Sequence, residues 1–387
     1  MSSVVIAGNT SGSITISAPD VSGSNTLTLP VAPDTLVGKA PTDTLTNKTL
    51  VAPTITGLQT LNTPNTFGFK NRIINGGMVI DQRNAGAEVN PAVSGAYYLD
   101  RFFAISSETS KFKIGQNAGA VTPPVGFTKY IGCTSLSVYS VVSTDRFYIG
   151  QQIEGFNIAD LAWGTASAAT VTLSFRVYSS LTGTFGGSLQ NSDNTRSYPY
   201  SYSIPTANTW TTISVTIAGD ASGTWLTTNG KGITVLFGLG VGTTYSGTAG
   251  AWASADYRSA TGATSVVGTS GATFYITGVQ LEKGSTATSF DFRDYGRELA
   301  MCQRYYQLVN TSSIYGYSYS NGNFIASTPF PVVMRTTATL TNISVTVSAG
   351  SVYLASITNG VGALYGASGG ASGAYYAGGS FNASAEL

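Results

Sequence analysis

The chain has 387 residues, which predicts two to three domains. Charged side chains are only 10% of it and the net charge is +1, so nothing draws it over long range to nucleic acid or anionic lipid. Histidine is absent, which excludes Ser-His-Asp and Cys-His triads and imidazole-bound zinc, while 42% hydrophobic and 11% aromatic residues exclude a solvated coil.

Residues 1–70 carry short alternating pieces, Ser13–Ser17 and Thr26–Leu29, repeatedly interrupted by Pro19, Pro30, Pro33, Pro41, Pro53 and Pro64. Alternation is the strand period, and each proline removes a ladder donor. Single Leu, Val and Ile residues spaced by polar ones cannot offset the roughly 1–2 kcal/mol per residue that ordering a backbone costs. Such a segment is a linker, or it buries its apolar residues against other copies. The regular Thr-Leu spacing favours an intertwined trimeric stem. The first residues lack a basic stretch and a long apolar run, so no secretory signal is expected.

Residues 71–295 are rich in β-branched runs separated by Gly, Ser, Asn and Pro. Strands are predicted at 72–74, 77–80, 136–141, 146–149, 170–178, 211–217, 233–239 and 274–281, and together they predict one antiparallel β-sandwich of jelly-roll type. A helix is predicted from Asp294 to Tyr306, capped by Asp294, with Leu299, Cys302 and Tyr306 on one face. Residues 296–387 then form that short helix and a small β-rich unit, with strands near 314–319, 338–347 and 350–357. From 305 onward only Arg335 and Glu386 are charged, yet nine of the 22 tyrosines lie here. A Ser-, Gly- and Tyr-rich surface is the composition of antibody paratopes, and a small core or interchain seam is the competing use of those rings. The fold class is therefore all-β: trimeric stem (1–70), sandwich body (71–295), linking helix and C-terminal β tip (296–387).

Candidate ligand platforms are Trp225 and Trp252, both in Gly/Ser/Thr-rich loops, and the tip tyrosines Tyr315, Tyr317, Tyr319, Tyr365, Tyr375 and Tyr376. Trp163 and Trp210 read as packing residues. Asp291, Asp294 and Glu298 offer carboxylates at helical spacing, but as cap and ion-pair partners of Arg293 and Arg297 rather than as an acid–base pair. Asp81, Asp100 and Glu282 are acidic enough to line a calcium site, although Asp100–Arg101 reads more simply as a local ion pair. No catalytic residue, metal or cofactor is assigned. Cys133 and Cys302 read as buried thiols, with a single disulfide as the alternative.

Three segments resemble tail fibres and receptor-binding proteins of tailed bacteriophages: Asn75–Arg83, Ile276–Gly284 with Ala287–Phe290, and Arg297–Tyr306. Asn25–Pro30, Asp43–Leu50 and Pro329–Thr336 also look like parts of such fibres. The resemblance implies a homotrimeric virion protein, assembled in the host cytoplasm. Residues 1–70 would hold it to a tail or head protein. Its middle would be a carbohydrate-binding-module-like jelly roll, and its far end would contact a host polysaccharide or outer-membrane protein. It implies adsorption by binding, without catalysis, nucleic acid or membrane insertion. A head fibre, decoration or adaptor protein without receptor binding is the alternative.

Overall fold

The computed structural model describes residues 3–7, 11, 13–17 and 69–387, apart from 94, 118, 120, 319–323, 348–350, 357–359 and 369–372. The chain divides into two compact units, Met1–Leu61 and Asn62–Leu387. In the first, β1 (Ser3–Ala7) and β2 (Ser13–Ser17) form an antiparallel hairpin with Val4 opposite Ile16 and Ile6 opposite Ile14. The expected strand at 26–29 lies outside the described residues.

In the second unit the strands are β3 (Ala96–Leu99), β4 (Phe102–Ser106), β5 (Phe112–Gln116), β6 (Ile131–Ser135), β7 (Arg146–Glu154), β8 (Val171–Ser179) and β9 (Gly183–Gln190). They continue as β10 (Ser197–Ile204), β11 (Thr211–Ile217), β12 (Lys231–Val241), the short parallel pair β13 (Ser246–Gly247) and β14 (Ser259–Ala260), and β15 (Thr273–Lys283). Apart from that short pair they build two antiparallel sheets, ordered β10-β9-β12-β7-β4-β3 and β11-β8-β15-β6-β5. The two sheets make the expected jelly-roll sandwich. Its core follows from alternation: Val171, Leu173, Phe175 and Val177 of β8 point inward and meet Phe147 and Ile149 of β7 and Val235 and Phe237 of β12.

Two glycine bulges adjust which side chains face in. In β15 the register slips between Thr277 and Gln280, and Gly278 sits at φ 63°, where a Cβ would come within 2.6 Å of Phe127 Cζ. The extra residue switches the inward set from Phe274 and Ile276 to Val279 and Leu281. In β12 one of two slips falls between Lys231 and Ile233, which brings Lys231 to the same outer face as Thr234.

Three expected strands are not strands. Residues 71–80 form a buried loop, with Asn75 and Met78 at φ 59° and 60°. Side-chain amides replace a strand partner: Gln151 accepts from Ile74 N at 2.8 Å and donates to Ile74 O at 2.7 Å. Asn75 in turn accepts from Ile80 N at 3.0 Å and donates to Ile80 O at 2.8 Å. Residues 136–141 alternate in sequence, but Leu136 bonds back to Lys111 O and Tyr139 to Val267 O, so the segment runs between two different elements and leaves Val138 exposed.

Helix α1 (Tyr295–Gln303) starts as expected, with Asp294 Oδ1 accepting from Arg297 N at 2.9 Å. Cys302 is buried with Ile74, Ile80 and Tyr305, while Tyr306 has already passed into the next strand. The remaining strands are β16 (Tyr306–Ser318), β17 (Phe324–Pro329), β18 (Thr339–Val347), β19 (Ser351–Ser356), β20 (Gly362–Ser368) and β21 (Gly373–Ser384), in two three-stranded sheets, β16-β21-β18 and β17-β20-β19. β21 brings the chain back to the body. Ala385 N donates to Tyr305 O at 2.8 Å, and Arg335 holds Ala385 O at 2.9 Å and Glu386 O at 2.8 Å. Among the described residues no helix is long and apolar enough to cross a membrane.

Candidate glycan-binding groove

The outer face of the six-stranded sheet carries its own apolar cluster, separate from the sandwich core. It is built from Phe103, Tyr148 and Leu236, with Tyr97 and Ile105 against them. Period-2 alternation places these residues there, because Phe102, Phe147, Ile149, Val235 and Phe237 point the other way. Gly150 is required at the centre, since a Cβ would lie 2.4 Å from Val235 O and 2.8 Å from Leu236 Cδ2. Above this floor opens a groove of about 280 Å³.

Across the groove runs a polar row on three adjacent strands: Gln152 and Gln190 lie directly opposite Thr234 on either side. Tyr97 Oη has two acceptors in reach, Gln152 Oε1 at 3.2 Å and Leu387 O at 3.3 Å. Gln190 Nε2 donates to Asp256 Oδ1 at 2.6 Å and to Tyr257 O at 3.1 Å. Thr234 is 3% exposed, and its Oγ1 has no hydrogen-bond partner. A buried hydroxyl left unpaired in a groove floor calls for a ligand or water partner. Two cations stand at the rim. Arg258 is answered by Asp256 at 2.7 Å, bonds Tyr148 Oη and lies over the Tyr245 ring. Lys231 donates to Asn194 Oδ1 at 3.0 Å, and burial pulls its pKa down.

The sequence-derived platforms fall elsewhere. Trp225 is 7% exposed, not a free loop platform, and Trp252 is half-buried beside it. With Trp163 they form an edge-to-face trio, centroids 4.6, 5.3 and 5.4 Å apart. Each indole N–H is spent on a backbone carbonyl: Trp163 on Ala169 O, Trp225 on Ser222 O and Trp252 on Ala218 O. Loop composition predicted exposure, but three rings from separate loops bury one another. Trp210 packs on Tyr130 and Tyr178 and donates to Thr122 O at 2.9 Å. The backbones of Tyr315 and Tyr317 lie on β16, of Tyr365 on β20 and of Tyr375 and Tyr376 on β21. Their side chains, and all of Tyr319, lie outside the described residues.

The acidic candidates are occupied by protein donors. Asp81 accepts from Asn84 N and Gly86 N, Asp100 from Gln82 N and Nε2, and Glu282 from Gln280 Nε2, Thr288 N and Thr288 Oγ1. Glu298 accepts from Asn75 N and faces Arg293, in keeping with an ion-pair role. Arg101 does not pair with Asp100. It is buried at 1% exposure against Glu386, which also takes Arg83 at 2.6 Å. Among the described residues no three metal-binding side chains come together, and Cys133 and Cys302 are both free, buried thiols. Missing from the sequence reading were Tyr97, Gln152, Gln190, Lys231, Thr234 and Arg258. The available signal was polar residues on the outward parity of otherwise apolar strands.

No protein-family model matches the sequence, and no curated protein matches it. Solved structures similar to the chain include a family 11 carbohydrate-binding module from Clostridium thermocellum in complex with a β-1,3-1,4-mixed-linked tetrasaccharide. That match covers 52% of this chain and 98% of the other, at 10% identity and TM-score 0.25. A xylan-binding domain from Paenibacillus barcinonensis matches 53% of this chain and 99% of its own length, at 7% identity and TM-score 0.27. An arabinose-bound α-L-arabinofuranosidase matches 53% of this chain but only 26% of its own, at 15% identity and TM-score 0.31. At these values the likeness carries no conclusion about ligand.

Proposed function

We propose that the chain is a non-catalytic glycan-binding protein that serves as a receptor-binding fibre of a tailed bacteriophage. Residues 1–70 form a trimeric stem held to the virion, the sandwich groove takes a host-surface glycan, and the tyrosine-bearing C-terminal sheets add contacts to polysaccharide or outer-membrane protein. Individually weak contacts become firm because several copies engage one surface. The observation that carries glycan binding is the groove itself, with an apolar floor, a row of amides and the unpaired Thr234 hydroxyl. The fibre role rests on the resemblance of residues 75–83, 276–284 with 287–290, and 297–306.

The test is competition. Purified full-length protein, its mass in solution measured by light scattering, is added to host cells before infectious phage. Two variants accompany it. Thr234→Trp fills the groove. The other replaces residues 311–378 with a short turn, which removes Arg335 but keeps the pairing of Tyr306–Asn310 with Ser380–Ser384 and the Glu386 ion pairs to Arg83 and Arg101. Wild type is expected to form a trimer and block adsorption, and the groove variant to block less. Loss of blocking only in the shortened variant assigns recognition to the C-terminal sheets. A wild-type trimer that neither adheres nor blocks overturns receptor binding in favour of a head fibre or adaptor.

A further inference from the structure

The groove holds unspent hydrogen-bond donors beside the acceptors Leu387 O and Gln190 Oε1, the Gln190 amide nitrogen being spent on Asp256 and Tyr257. Lys231 uses one ammonium proton on Asn194 Oδ1 and forms no ion pair among the described residues; Asp193 and Asp256 act on it only through space. Thr234 Oγ1 is unpaired and buried. Tyr97 has one hydroxyl proton and two acceptors in reach, Gln152 Oε1 at 3.2 Å and Leu387 O at 3.3 Å. Asn194 is held at φ 58° with Oδ1 taken by Lys231. The acceptor of Asp256 is consumed by Arg258 and Gln190. The β12 bulge is what gathers this set, because without Gly232 as the extra residue Lys231 would face away from Thr234.

We infer that the groove selects glycans bearing a carboxylate, with a uronic-acid group lodged between Lys231 and Thr234 and the sugar ring over the Phe103–Tyr148–Leu236 floor. This rests on the glycan-binding reading of the same groove. A carboxylate supplies an anion for an ammonium that has no ion pair among the described residues, and an acceptor for an unpaired hydroxyl. A neutral sugar would leave the ammonium unanswered. Arg258 is not the acid reader, since Asp256 already neutralises it.

Calorimetric titration of the full-length protein with pentagalacturonate, its fully methyl-esterified form and neutral galactopentaose tests this. Methyl esterification removes the charge and keeps the ring and its hydroxyls. The acid is expected to bind at least tenfold more tightly than the ester, with the preference lost in Lys231→Gln and kept in Lys231→Arg. Thermal melts check that both variants fold. Equal binding of acid and ester, or a preference that survives Lys231→Gln, overturns acid selection while leaving the groove as a glycan site. Silence towards all three probes also overturns it. The groove reading itself falls only if, in addition, binding to a broad neutral-glycan array is unaffected by Thr234→Trp.

Discussion

Each indole of the Trp163–Trp225–Trp252 trio donates to a backbone carbonyl and packs edge-on against the other two. Trp225→Ala should therefore cost about 3–5 kcal/mol in urea denaturation, as large-to-small changes in cores do. If it lowers glycan affinity without lowering stability, the trio is a binding platform after all. Asp100 is a second residue whose burial has a consequence. Desolvation raises its pKa above the ordinary carboxylate value, outweighing Arg83 and the Gln82 hydrogen bonds. The folded state then holds the proton to higher pH than the unfolded chain. Its contribution to stability is fully present below the unfolded value and is lost as pH rises through the folded one. The stability of wild type relative to Asp100→Asn should thus decline from acid towards neutral pH, and a flat or rising difference would contradict the burial argument.

At the scale of elements, small irregularities position the chemistry. The β12 bulge turns Lys231 into the groove, and the β15 bulge keeps Val279 and Leu281 in the core after Gly278. Three of the segments that resemble phage fibres, 75–83, 276–284 and 297–306, meet at one junction: Val279 N donates to Gly76 O at 3.0 Å, and Glu298 of α1 accepts from Asn75 N. They are joined by packing and none of them lines the groove, although Arg83 lies over the Tyr97 ring at 5.2 Å, so they speak to architecture more than to ligand. Asp294 closes the start of α1, and Asp294→Ala should destabilise by about 1 kcal/mol, measured by chemical denaturation. Strands with clean alternation, such as β8 and β11, were legible because one face is buried against the opposite sheet. The 71–80 loop was not, because its backbone is satisfied by Gln151 and Asn75 side chains that local pattern does not reveal.

Over the second unit as a whole, the two charged residues of the C-terminal stretch, Arg335 and Glu386, both serve its attachment to the sandwich. Glu386 joins Arg83 and Arg101, and those guanidiniums lie over the rings of Tyr306 and Tyr305 at 3.8 and 3.5 Å. Removing the shared carboxylate leaves Arg101 buried and unanswered. Glu386→Ala should cost about 3–5 kcal/mol, and protease sensitivity should rise within 306–384. An unchanged denaturation midpoint would show the contact to be dispensable. The expectation of a polar tip with one acid was right in composition. What it missed is that this acid is the fastening point.

The sequence by itself determined the all-β class, the jelly-roll body, the capped helix and the absence of histidine chemistry, because strand period, turn residues and composition act locally. It did not determine the groove. Gln152, Thr234 and Gln190 come from three strands separated by dozens of residues, and only sheet order and register set them side by side. The same holds for Trp225 and Trp252, whose loops read as exposed until tertiary packing brought them against Trp163. Local pattern decides which face a side chain takes; only the folded sheet decides what it will stand beside.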